Sequence, residues 1–108
     1  AYIAMGTMDM HTHLTGDNYD LHPSVMKASH PVGTWNQGRI VVDGTHVEHW
    51  LNGQMTVEYE LFSPEWERLV GESKFGPYPR YARAMEGRIA LQDHGHEIRY
   101  RNIKIRPF

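Results

Sequence analysis

Two dipeptides constrain this chain more than any others: Asp43-Gly44 and Asn52-Gly53. Both are the residue pairs that a two-residue type I′ turn selects, because its two central positions need positive φ and the turn's twist matches that of paired strands. The runs around them, Arg39–Val42, Thr45–Leu51 and Gln54–Leu61, are strand-like. A three-strand antiparallel meander is therefore expected. With two-residue turns throughout, Ile40 pairs with Val47 and Val47 with Glu58, while Arg39 pairs with Glu48, Trp50 with Met55 and His46 with Tyr59. The face carrying Val41, Trp50, Met55, Val57, Tyr59 and Leu61 is the more apolar and is expected to face the core. Thr45, His49, Thr56 and Glu58 would then share the open face.

The C-terminal stretch, residues 87–107, reads as a β-hairpin. Ile89 and Leu91 alternate with Arg88, Ala90 and Gln92, the period of two that separates a buried from an open face. Gly95-His96 suits a type II′ turn, which sets His94 opposite Glu97, Gln92 opposite Arg99 and Leu91 opposite Tyr100. Gln92, His94, Glu97 and Arg99 would then cluster on one face, with Ile89, Leu91, Ile98 and Tyr100 on the other. The apolar parity changes at Ile103 and Ile105, which calls for a bulge near Arg101-Asn102.

Between these regions the β pattern breaks once. Ser63 is a good N-cap, Pro64 suits the first helical position and Glu65 the positive end of the dipole, so a short helix is expected near 64–73. Trp66, Leu69 and Val70 form its apolar stripe, and core packing is the expected role of Trp66. A Pro/Tyr-rich loop follows at 74–81, in which Tyr78 and Tyr81 could pack or stack on a sugar ring. Ala1–Met5 is strand-like, and residues 18–33 read as an irregular connection without helix. Asp9-x-His11-x-His13 resembles the first-strand metal motif of amidohydrolases, but that family needs a (β/α)₈ barrel of roughly 250 residues to assemble its site. A local metal contact or an ordinary polar loop remains for this segment.

A chain of 108 residues holds one domain at most. Its formal net charge of -2, with scattered basic residues, gives no electrostatic footprint for nucleic acid. The absence of cysteine excludes disulfides, thiolate zinc sites and a thiol nucleophile, and no apolar run is long enough for a membrane span. The eight histidines permit acid/base work or metal binding. Short strands, one helix and frequent tight turns indicate a mainly β protein, an antiparallel β-sandwich.

Three stretches together, residues 31–42 (Pro-Val-Gly-Thr-Trp-Asn-Gln-Gly-Arg-Ile-Val-Val), 47–53 (Val-Glu-His-Trp-Leu-Asn-Gly) and 87–95 (Gly-Arg-Ile-Ala-Leu-Gln-Asp-His-Gly), with Tyr100-Arg-Asn-Ile103, resemble the 3-keto-disaccharide hydrolase domain family. The resemblance runs from about Asn18 to the C-terminus and implies a concanavalin A-like, jelly-roll sandwich. It also implies a bacterial, exported protein, periplasmic or extracellular, that acts on carbohydrate. The family domain is longer, so residues 1–108 are expected to be either a single domain or the C-terminal portion of a larger sandwich domain. Such a portion would leave sheet edges open, which predicts a homo-oligomer or a complementing chain.

The implied chemistry is cleavage of a 3-keto-glycoside. The ketone acidifies the C2 proton, a base removes it, the enolate expels the C1 substituent and water adds back. On that basis His94 and Glu97 are the catalytic candidates, with Gln92, Arg99, His49, Asn52, Tyr78 and Arg101 as substrate-binding candidates. For Arg101 and Asn102 a structural role at the bulge is equally open. A divalent metal suits this chemistry, but spacing fixes no ligand set. The rival readings are a non-catalytic carbohydrate-binding module and a partner-dependent structural fragment.

Overall fold

The computed structural model describes residues 15–92, 95 and 97–108. The strand-like Ala1–Met5 and the Asp9-x-His11-x-His13 motif lie outside them. Three strands, β1 (Gly38–Asp43), β2 (His46–Leu51) and β3 (Gln54–Glu60), form an antiparallel sheet in the order β1-β2-β3, and one helix, α1 (Pro64–Glu72), follows. The meander and the helix are as expected. Their register is not.

At the first turn Asp43 pairs with His46, so the loop is Gly44-Thr45 and every β1–β2 pair is displaced: Val42 faces Val47, Ile40 faces His49 and Arg39 faces Trp50. The backbone gives the reason. Gly44 has φ 61° while Thr45 is not in the positive region, the signature of a type II′ turn with glycine first, so Asp43 stays in the strand. The second turn is the expected type I′, with Asn52 at φ 51° and Gly53 at φ 80°. Leu51 pairs with Gln54 and Trp50 with Met55. The register then slips, and His49 faces Val57, Glu48 faces Glu58 and Val47 faces Tyr59. Thr56 is the extra residue, a β-bulge.

The bulge also reverses the expected faces. Val57 and Tyr59 join Val47, His49 and Leu51 on the inner face, while Trp50 and Met55 go to the outer face with His46, Glu48 and Glu58. Val47, Leu51 and Val57 are buried, whereas Trp50 and Met55 are only half-buried. The core assignment of Trp50, Met55 and Val41 is thus overturned, as is the open-face assignment of His49 and Thr56. The irregular segment at the start of the described chain crosses the inner face. Val25 N–H donates to Thr56 O (2.9 Å), and Gly16 O accepts from Thr56 Oγ1 (3.0 Å), whose residue is fully buried.

The helix begins as its sequence dictates. Ser63 is extended and its Oγ accepts from Trp66 N–H (3.1 Å), and Glu65 and Glu67 occupy the first turn, next to the positive end of the dipole. Trp66 and Val70 are buried and pack with Leu21 into a cluster joined by Tyr59, Leu69 and Phe75. Each such aliphatic or aromatic side chain contributes roughly 1.5–3 kcal/mol of transfer free energy. On the solvent side Arg68 bridges Glu65 (2.6 Å) and Glu72 (2.7 Å).

The C-terminal hairpin does not form as a strand pair among the described residues. Residues 87–92 and 97–108 carry no strand, and Ile89 and Ile105 are 74% and 73% exposed. The expected bulge at Arg101-Asn102 has no ladder to interrupt, although Asn102 does adopt φ 55°. The physical reason is that alternating side chains form a stable pair only when one face is buried, and an isolated two-stranded ribbon is marginal in water. The two limbs still meet at one point, where Tyr100 OH donates to Gln92 O (2.6 Å).

Candidate functional site

Among the described residues, three groups of titratable and aromatic side chains bear on a site. The first lies on the inner face, between the sheet and α1. Because the bulge carries Tyr59 to the same face as His49, Tyr59 OH donates to His49 Nε2 (3.2 Å) and His49 Nδ1–H donates to Gly16 O (3.3 Å). Both ring nitrogens of a neutral imidazole are thereby used. His22 stacks on Tyr59 (4.8 Å between centroids) and Tyr59 on Trp66 (5.3 Å). Asn18 Nδ2 donates to His22 Nδ1 (3.0 Å). Burial pushes the pKa of both His49 and His22 down and pushes the Tyr59 phenol up to about 12. At neutral pH the array is uncharged. Its members are half-buried, tied to one another by these hydrogen bonds and stacks and to α1 through Trp66.

The second lies on the outer face. His46 Nδ1–H donates to Glu60 (2.8 Å), while its Nε2 lies 3.3 Å from Glu48 and 3.8 Å from Glu58. The Glu60 hydrogen bond is the main cause of a raised His46 pKa. Trp50 Nε1–H donates to Glu48 (2.6 Å), and the Arg39 guanidinium lies 4.5 Å over the indole ring. Gln37, Arg39, Trp50 and Gly53 line a shallow groove of about 290 Å³.

The third is the C-terminal limb. Of the catalytic candidates, His94 lies outside the described residues. Glu97 is exposed and pairs with Arg99 (2.6 Å). Gln92 is exposed, and its backbone carbonyl accepts from the hydroxyl of the half-buried Tyr100, a contact separate from the Glu97–Arg99 pair. Arg101 stands apart from them, its guanidinium 4.0 Å over the Trp35 ring. Tyr78 is exposed at another position of the surface. Asn52 is committed to architecture: its Nδ2 donates to Ala28 O (2.7 Å) and Asn36 Oδ1 (2.8 Å), and its Oδ1 accepts from Gln37 N–H (2.9 Å). Among the described residues no group of three or more His, Asp or Glu side chains is arranged to hold a metal ion.

Sequence reasoning passed over His22 and misplaced Tyr59. The only trace of their association is two aromatic-compatible residues near a helix N-cap, since the bulge that brings Tyr59 to His49 has no local sequence mark. Trp35 was equally silent, because an Arg–Trp stack across sixty-odd residues leaves no periodicity.

Comparison with known proteins adds the following. Residues 3–106 match the 3-keto-alpha-glucoside-1,2-lyase-like domain. A 3-keto-disaccharide hydrolase of Bacteroides thetaiotaomicron is 33% identical over 82% of this chain, which corresponds to 34% of that protein. A solved structure from Parabacteroides distasonis, provisionally assigned as a glycosyl hydrolase, is 30% identical and superposes with a TM-score of 0.61 over 66% of this chain and 32% of its own. The chain therefore spans about a third of the length of these two relatives.

Proposed function

Because the chain belongs to the 3-keto-alpha-glucoside-1,2-lyase-like domain family, we propose that it serves carbohydrate breakdown by contributing part of a site that cleaves 3-keto-glycosides, within an antiparallel sandwich larger than the sheet described above. The observation that carries this reading is the exposed Glu97–Arg99 ion pair on the C-terminal limb, close in sequence to Gln92 and His94. A carboxylate, a guanidinium and an amide, with the imidazole of His94 close to them in sequence, are the groups the chemistry needs.

The route begins at C2 of the sugar, whose proton is acidified by the neighbouring ketone. His94 takes that proton. Charge moves to the ketone oxygen as an enolate, where Arg99 and the Gln92 amide donate hydrogen bonds. The enolate then re-forms the ketone as the C1–O bond breaks, and the proton that His94 took from C2 passes to the departing oxygen, with Glu97 as the partner that steadies the imidazole. Water adds across the resulting C1–C2 double bond, placing hydroxyl on C1 and hydrogen on C2, so that the net change is hydrolysis. This sequence differs from ordinary glycoside hydrolysis, which needs a facing pair of carboxylates and builds charge at C1 rather than at C2.

The test is release of a chromogenic aglycone from a 3-keto-glucoside, with and without added divalent metal. Turnover that His94→Ala abolishes and Glu97→Gln lowers by roughly 10²-fold supports the reading, a range expected of general acid/base catalysis. Deuterium at C2 of unreacted substrate in D₂O, above the protein-free rate, would report the enolate. Sugar binding without release or exchange would sink it in favour of a binding module.

A further inference from the structure

The least covered part of the sheet is β1. Five of its six residues are exposed, and Ile40 and Val42, which lie on the same face as the buried Val47 and Leu51, are 68% and 53% exposed. β3 is met at its outer edge by Val25, whose N–H reaches Thr56 O, but among the described residues β1 has no neighbour other than β2. In a hairpin closed by a two-residue loop, the pair flanking the loop exchanges both backbone bonds and the pattern alternates from there. Asp43, Val41 and Arg39 therefore bond to β2. Ile40 and Val42 direct their N–H and C=O groups outward. Gly-Arg-Ile-Val-Val-Asp has no proline, no lysine and no bulge, and its two charged residues, Arg39 and Asp43, are of opposite sign.

From this edge we infer that β1 pairs with β1 of a second copy of the chain, antiparallel across a two-fold axis, with Val41 opposite its own equivalent. Two-fold symmetry and the outward backbone groups allow registers that differ by steps of two residues. Charge selects among them. With Val41 at the centre, Arg39 faces Asp43 of the second copy, twice per dimer. Among the described residues neither Arg39 nor Asp43 forms an ion pair within 4 Å; Arg39 is held over Trp50, on the face that Asp43 shares, with Glu48 as its more distant opposite charge. Neither adjacent register brings the two charges together: one sets Arg39 against Val41, the other against Thr45. In the chosen register Ile40 and Val42 of opposite copies exchange backbone hydrogen bonds and cover each other on the inner face. The result is a continuous six-stranded sheet. The inference is independent of the catalytic reading, since it uses no residue of the C-terminal limb.

The absence of cysteine in the chain makes the register directly measurable. Facing residues of a non-hydrogen-bonded antiparallel pair have Cα atoms about 4.5 Å apart, within disulfide reach, so Val41→Cys should link two copies under mild oxidation. Ile40→Cys is offset from its own equivalent by two residues, about 7 Å further along the strand, and should link at least about tenfold more slowly. Because the interface is small, association is read by sedimentation equilibrium at up to about 0.1 mM. A monomer–dimer equilibrium is expected, weakened by Arg39→Asp or Asp43→Arg alone and restored when both are made together, with circular dichroism confirming that each variant is folded. A monomer throughout this range, a dimer indifferent to the charge swaps, or equal linking rates at the two cysteine positions would each overturn the inference.

Discussion

At the level of single residues, the histidines on the two faces of the sheet respond to pH in opposite directions. His46 is flanked by Glu60, Glu48 and Glu58, and its pKa is raised, chiefly by the Glu60 hydrogen bond. A raised histidine pKa contributes stability that is complete below the unfolded value of about 6.5 and is lost as pH rises through the folded value. His49 and His22 are depressed by burial, so the protonated unfolded chain gains on the folded one as pH falls below about 6.5. Glu48 and Glu60 are lowered, by the Trp50 and Thr45 hydrogen bonds first, and their contribution is complete above the unfolded carboxylate value and lost on further acidification. Between pH 7.5 and 5.5 the two kinds of histidine partly cancel. Replacing His46 with Gln removes one side of that balance, so urea midpoints of the variant should fall more steeply toward pH 5.5 than those of the parent. In NMR titrations the His46 ring should have its midpoint above 6.5 and those of His49 and His22 below it. A His46 midpoint at or under 6.5 would contradict the arrangement.

Among the elements, β3 depends on a single residue for its handedness of exposure. Thr56 is the inserted residue of the bulge, fully buried, with its hydroxyl 3.0 Å from Gly16 O and 3.2 Å from His49 O. Thr56→Val keeps the shape but removes the hydroxyl, leaving Gly16 O with the His49 Nδ1–H bond alone. A loss of about 0.5–1.5 kcal/mol is expected, the net worth of an internal hydrogen bond, read as a lower urea midpoint with unchanged slope. This element also shows where a sequence stops being informative. Asn52-Gly53 and the Ser63-Pro64-Glu65 cap announce themselves because turn and cap chemistry is local, and both are found where the residues predict them. Asp43-Gly44 announces a turn but not its type: whether glycine takes the first or the second central position is decided by the strands, and moving the loop by one residue shifts every pair by two, changing partners while each residue keeps its face. The Thr56 bulge has no local signature at all. It follows from packing, since only with it do Val57 and Tyr59 reach the side of the sheet that Trp66 covers. The same limit holds for the candidate site. The expectation that Gln92 faces Arg99 rests on a hairpin that does not form among the described residues, and the sequence cannot say that His49 and Asn52 are spent on internal hydrogen bonds.

For the molecule as a whole, the distribution of burial divides the chain in two. The sheet, α1 and the irregular segment across them share the buried core, whereas Ile89, Leu91, Ile103 and Ile105 on the C-terminal limb are all more than half exposed. Alternation of apolar residues specifies which side of a strand must be covered but not what covers it, and among the described residues nothing does. Hydrogen exchange should expose this division. Amides of β2, held between two strands, are expected to be protected by at least about 10³-fold, and those of Ile89, Leu91, Ile103 and Ile105 to exchange within roughly tenfold of an unstructured peptide. Protection of the limb equal to that of β2 would mean that it forms a sheet of its own. The consequence reaches the proposed chemistry, because Gln92, Glu97 and Arg99 sit on this limb. Fixing a backbone residue costs about 1–2 kcal/mol, so a substrate that must order the limb as it binds would lose affinity in proportion. Adding a 3-keto-glucoside should then slow exchange at residues 97–105 while leaving β2 unchanged. If exchange on the limb is unaltered at saturating sugar, the limb does not bind it, and the site would have to lie elsewhere on the sheet.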